Sequence, residues 1–165
     1  MTFFDKDETG ATTIPTRLEV QPDDTWDLTL LYATAEDWQA AFEKLQRDYE
    51  WMARWKGHVG ESPQTLHEVL EFEKQLSLVI ERLGHYASLL TSGDSSNAEH
   101  LAREAQFENL MTRIGEATAF VAPEIQALDD ATFERYLAEP VLAEWRVTLQ
   151  KQRRFKRHTL TSNEE

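Results

Sequence analysis

Trp38, Phe42, Leu45, Tyr49 and Met52 follow one another at spacings of four, three, four and three, with mostly polar residues between them. That repeat keeps all five on one face and predicts an amphipathic helix of about six turns. Thr34 can cap it while Asp37, three residues on, closes a capping box. Gly57, after Trp55 and Lys56, suits a left-handed C-terminal cap. Ser62 followed by Pro63 opens a second helix, with a capping hydroxyl ahead of a proline at the first helical position. Its apolar positions are Leu66, Val69, Leu70, Leu76, Val79, Ile80, Leu83 and Leu90, and a helix of that span would reach roughly 40 Å. A compact bundle of this size has no need of such an arm, which points to a larger parent.

Residues 91–97 have loop composition, and Asn97 is a good cap for a third helix carrying Leu101, Ala105, Leu110, Ile114 and Val121. Pro123 is expected to end or kink it. Two shorter helices follow. One starts near Asp130 with Phe133, Tyr136 and Leu137 inward, the other near Pro140 with Leu142, Trp145, Leu149 and Phe155 inward. Ahead of the first helix, residues 24–32 are short, aromatic and apolar, and are expected to dock Trp26, Leu28, Leu31 and Tyr32 onto the helical body.

The expected fold is therefore all-α, an antiparallel bundle or array of about five helices with a disordered N-terminal tail. Residues 1–13 form that tail, 14–33 an extended docking segment, and 34–165 a helical lobe. Ser162 and Glu165 spell a second capping box with no helix behind it, so the chain is expected to be a fragment, cut before a further domain.

Composition narrows the function classes. The 30 acidic and 17 basic residues give a net charge of −13, which repels phosphate backbones and argues against nucleic-acid partners. The absence of cysteine removes disulfides, thiol catalysis and cysteine-held zinc. No run approaches the ~18 apolar residues of a membrane span, so no membrane partner is expected. The start of the chain lacks the basic and apolar regions of a secretory signal, which makes the cytoplasm the expected location.

Candidate chemistry is sparse. His67-Glu68-Val69-Leu70-Glu71 approaches a zinc-binding helix, but such a helix needs histidine at i and i+4, and Glu71 stands where the second should be. His58, His67, His85, His100 and His158 make no spaced pair. No strand–turn–helix nucleophile and no glycine-rich phosphate loop is present. Hence no catalytic residue and no metal ligand is assigned, and substrate contacts are left open.

Between Arg146 and Arg157 lie six cations, including Lys151, Arg153, Arg154 and Lys156. They could dock an acidic partner or a substrate C-terminus, but cations near a helix C-terminus explain them better. Trp38 and Trp145 sit on apolar stripes and read as core, whereas Trp51 and Trp55 lie off the main stripe and read as surface residues. Gly84 and Gly115, both mid-helix, are expected to mark close helix packing rather than hinges.

Trp26-Asp27-Leu28, Leu31-Tyr32 and Trp38 with its stripe resemble the start of the oligoendopeptidase F family. Further matches follow in the family's order: Lys56-Gly57 with Gly60-Glu61-Ser62, Tyr86-Ala87-Ser88-Leu89, and Pro123-Glu124-Ile125-Gln126-Ala127-Leu128. His158-Thr159-Leu160-Thr161-Ser162 with Glu164-Glu165 resembles the stretch before the family's next helix. The likeness covers nearly all of residues 24–165 and about the first quarter of a family member.

The family belongs to the thimet-oligopeptidase-like zinc metallopeptidases. The resemblance implies one wall of a deep helical clamshell that admits short peptides. In the family a His-Glu-x-x-His helix and a later Glu hold zinc, and none of those residues is present here. The partners it implies are short peptides and the missing catalytic lobe. A stand-alone helical interaction module is the competing expectation, and a small metal-binding bundle a third, disfavoured by the missing histidine.

Overall fold

The computed structural model describes residues 17–158, and the side chains of Leu18, Arg157 and His158 are not among those described. The expected tail over 1–13 and the capping pattern at Ser162 and Glu165 fall outside this range.

The described residues are all-α, with no strand among them. They form helices α1 (Ala35–Asp48), α2 (Pro63–Gly93), α3 (Ala98–Thr118), α4 (Val121–Ala127), α5 (Asp130–Ala138) and α6 (Arg146–Arg153). Short 3-10 segments join or extend them, notably Tyr49–Trp55 after α1 and Pro140–Trp145 before α6.

The helix starts follow local chemistry. Thr34 Oγ1 accepts the Asp37 amide at 3.1 Å while the Asp37 carboxylate accepts the Thr34 amide at 3.2 Å, a complete capping box. Ser62 caps α2 through the Thr65 amide, Asn97 caps α3 through the amides of Glu99 and His100, and Asp129 caps α5 through Thr132. The third expected helix is divided in two. Pro123 occupies the third position of α4, where its missing N–H would have found no intrahelical partner anyway.

α2 extends three residues beyond the expected stop at Leu90, to Gly93, and at 31 residues spans about 46 Å. It threads two cores. Leu66, Val69 and Leu70 in its first half pack with Met52, Trp55, Val59, Ile125, Phe133, Leu142 and Leu149. Leu76, Leu83, Tyr86 and Ala87 in its second half pack with Tyr32, Trp38, Phe42, Leu45, Leu110 and Ile114. Phe72 borders both cores, so the long helix joins two clusters that neither end could bury alone.

α1 lies on α2 through Trp38, whose indole N–H donates to the Leu83 carbonyl at 3.0 Å while its ring stacks on Phe42. α2 and α3 run antiparallel across a four-residue connection. His100 Nδ1 donates to the Leu90 carbonyl at 3.1 Å, and the Phe107 ring lies where a Cβ on Gly84 would stand, 2.9 Å away. Gly84 therefore marks close packing. Gly115 does not: a Cβ there would meet nothing within 4 Å, so that expectation is corrected.

Other expectations are corrected too. Trp55 is buried, not on the surface. After Asp48 the helix tightens to three residues per turn, which eclipses Tyr49, Met52 and Trp55 on one inward face. Trp51 falls outside that face and is 60% exposed, as expected.

Among the described residues of the docking segment only Tyr32 is buried, edge-on to Tyr86, with Leu28 and Leu31 half-buried beside it. Trp26 stays exposed. The stretch is less extended than expected, since Arg17–Glu19 and Pro22–Asp24 form 3-10 turns. Phe155, expected inward, is 64% exposed, and Val79 and Leu101 also leave the buried stripes. Among the described residues no helix is long and apolar enough to cross a membrane.

Candidate functional site

Several of the residues singled out in the sequence converge on one surface. The first half of α2 turns His67, Glu68 and Glu71 outward while the 3-10 segment Tyr49–Trp55 brings Arg54 and Trp55 alongside. Together with Phe72 they line an open groove of about 400 Å³. Its aromatic wall is Trp55 against Phe72, ring centroids 5.2 Å apart, and the Arg54 guanidinium lies 3.9 Å above the Trp55 ring.

Two carboxylates on and beside this face share one ammonium. Lys74 Nζ donates to Glu71 at 3.2 Å and to Glu144 at 3.1 Å, bridging α2 to the 3-10 segment before α6, and sits 5.4 Å from the Trp145 ring. The Glu144 hydrogen bond, then the Glu71 one, raise the Lys74 ammonium above its ordinary range. His67 Nδ1 is buried and makes no hydrogen bond within the chain, and Trp145 Nε1 is in the same state. Trp145 is half-buried against the core, in keeping with its place on an apolar stripe.

The residues lining this groove do not fit a zinc ion. No three His, Asp or Glu side chains are grouped to hold a metal among the described residues, and Glu71 is committed to Lys74. The groove offers an aromatic wall and a carboxylate rim, surfaces suited to holding a side chain.

The basic C-terminal segment has a structural role more specific than a dipole on its own helix. Arg153 donates to the carbonyls of Gln126 at 3.0 Å and Leu128 at 2.7 Å, and Lys156 donates to Leu128 at 3.1 Å. These are the carbonyls that end α4, where cations are favoured. Arg146 does the same for α5, with Nε 2.6 Å from the Leu137 carbonyl. Both Arg153 and Lys156 also pair with Asp130, whose carboxyl they hold below its ordinary range, Arg153 first.

Sequence reasoning missed Glu124. Its carboxylate accepts the Gly57 amide at 2.7 Å and the Val59 amide at 3.1 Å, tying α4 to the turn that ends the first helical stretch. Gly57 takes φ +85°, the left-handed conformation anticipated for its cap. Only the turn itself could have hinted at a carboxylate partner, because the amides of Gly57 and Val59, on either side of His58, point outward and together make an anion cradle.

With this geometry in place, the chain can be set beside known proteins. The family model described as Oligopeptidase F matches residues 124–165. Oligopeptidase PepF of Bacillus subtilis is 26% identical over 133 residues, covering 81% of this chain and 20% of that protein. Group B oligopeptidase PepB of Streptococcus agalactiae is 30% identical over 141 residues, covering 85% of this chain and 24% of its own length. The crystal structure of a putative peptidase from Chlamydophila abortus superposes with a TM-score of 0.79 at 25% identity, over 92% of this chain and 26% of that one. These matches place the chain in the oligoendopeptidase F family as an N-terminal segment. It spans about a fifth to a quarter of the length of these relatives.

Proposed function

We propose that residues 34–165 form the N-terminal channel-wall lobe of a cytoplasmic zinc metallo-oligoendopeptidase that hydrolyses short peptides, with residues 14–33 docked against it. The observation that carries this reading is the superposition on a peptidase over 92% of this chain but only 26% of that one. Such a lobe holds no catalytic or metal-binding residue of its own, and its contribution is to shape and limit the space that a peptide enters. The zinc that the family implies, and the activation of water, would be supplied outside these residues. The exposed groove beside Trp55 and Phe72 suits a wall that contacts peptide side chains through aromatic faces and carboxylates.

The test is hydrolysis of quenched fluorescent peptides. A protein in which this lobe is followed by its natural continuation should cleave short peptides, spare folded proteins, and lose activity to a chelator and recover it with zinc. The 165-residue chain alone should cleave none with or without zinc. Zinc-dependent turnover by the chain alone, or none by the extended protein, would overturn the reading.

A further inference from the structure

A second groove runs between α2 and α3, and no α1 residue lines it. Its floor is Ile80, Phe107 and Met111, with Phe107 brought against the α2 backbone by the missing side chain of Gly84. Its rim carries Glu81, Glu104 and Glu108, and the volume is about 390 Å³. Leu101 lies one turn before Glu104 on the same face of α3 and is 46% exposed, which lengthens the apolar strip.

Charge is segregated around this groove. α2 and α3 carry four cations, Lys74, Arg82, Arg103 and Arg113, and none lines it. Lys74 is held by Glu71 and Glu144, Arg82 lies over the Tyr32 ring at 4.8 Å, and Arg103 over the Trp38 ring at 5.5 Å. Arg113 lines the depression facing α1 beside Phe42. The one other titratable group on the groove is His85, whose Nδ1 donates to the Glu81 carbonyl at 2.6 Å. The apolar strip is therefore bordered by carboxylates that no helix cation offsets.

We propose that the α2–α3 groove seats a cationic amphipathic helix, its apolar stripe on Ile80, Phe107 and Met111 and its lysines or arginines against Glu81, Glu104 and Glu108. The apolar floor along two antiparallel helices, the adaptable Met111 side chain and the one-signed rim are the features of helix-in-groove recognition. The proposal stands apart from the peptidase reading and does not rest on it.

The experiment uses the 165-residue chain and a fluorescein-labelled helical peptide of about 14 residues, with leucine at helical spacing and lysine on the flanks. A matched peptide with glutamate in place of lysine serves as the opposite-charge probe. The expected result is saturable binding of the lysine peptide alone, weakening as salt is raised. Joint substitution of Glu81→Gln, Glu104→Gln and Glu108→Gln should weaken it about tenfold or more, while Glu36→Gln, Glu43→Gln and Glu50→Gln on α1 and the segment after it should change it less than about twofold. The second triple variant removes the same net charge elsewhere, so general attraction to an acidic protein cannot mimic the result. Absence of saturable binding, equal binding of the glutamate peptide, or equal weakening in the two variants would overturn the proposal.

Discussion

The Glu124 carboxylate accepts the Gly57 amide across 67 residues of chain and thereby closes the turn between Trp55 and Val59 against α4. Both amide contacts, to Gly57 and to Val59, are charge-assisted. Glu124→Ala is expected to cost about 1–3 kcal/mol of stability in urea unfolding. An unchanged midpoint would show that water replaces the carboxylate without loss.

Trp51 and Trp55 make a paired test of the helix tightening. Trp55→Ala removes a buried ring from the core and should cost ~3–5 kcal/mol. Trp51→Ala should stay within ~0.5 kcal/mol of the parent. Thermal unfolding of the two variants checks both, and similar losses would contradict the 3-10 register.

The two mid-helix glycines should respond with opposite signs. Gly115→Ala gains helix propensity with nothing to displace, and is expected to stabilise by ~0.5–1 kcal/mol. Gly84→Ala sets a methyl against the Phe107 ring and should destabilise despite the same gain. The unfolding midpoints should therefore move in opposite directions.

Two carboxyls give pH signatures of opposite sign. Asp130 titrates below its ordinary value in the folded chain through Arg153, then Lys156. Its contribution to stability is present above about pH 4 and fades as the pH falls through the folded value. Asp130→Asn should flatten the acid side of the stability curve, modestly because the side chain is largely exposed. Glu73 is raised by burial, so its charged form is disfavoured on folding. That penalty is absent below about pH 4, grows as the pH rises to the folded value and is then constant. Glu73→Gln should be more stable than the parent at pH 7 and equal to it at pH 3, as read from urea unfolding at the two values.

Much of the fold was legible because local signals set it. The caps at Thr34, Ser62 and Asn97 are written in adjacent residues, as is the left-handed turn at Gly57. What was not legible came from distant contacts. Trp55 turns inward because the helix tightens over the core packed by the first half of α2, and no period of 3.6 shows that change. Arg153 serves α4 from 25 or more residues away, so its partner could not be read from neighbours. The site was least legible of all. His67, Glu68 and Glu71 meet Trp55 only once the 3-10 segment folds beside α2, and the Gly84–Phe107 contact that floors the second groove joins positions in separate helices.

The reading frame directly downstream of Glu165 tests the lobe assignment most directly. A frame that runs on and encodes a His-Glu-x-x-His helix is the expected result, and makes this segment the wall of a zinc peptidase. A stop codon there in the native gene would contradict it and leave a helical interaction module.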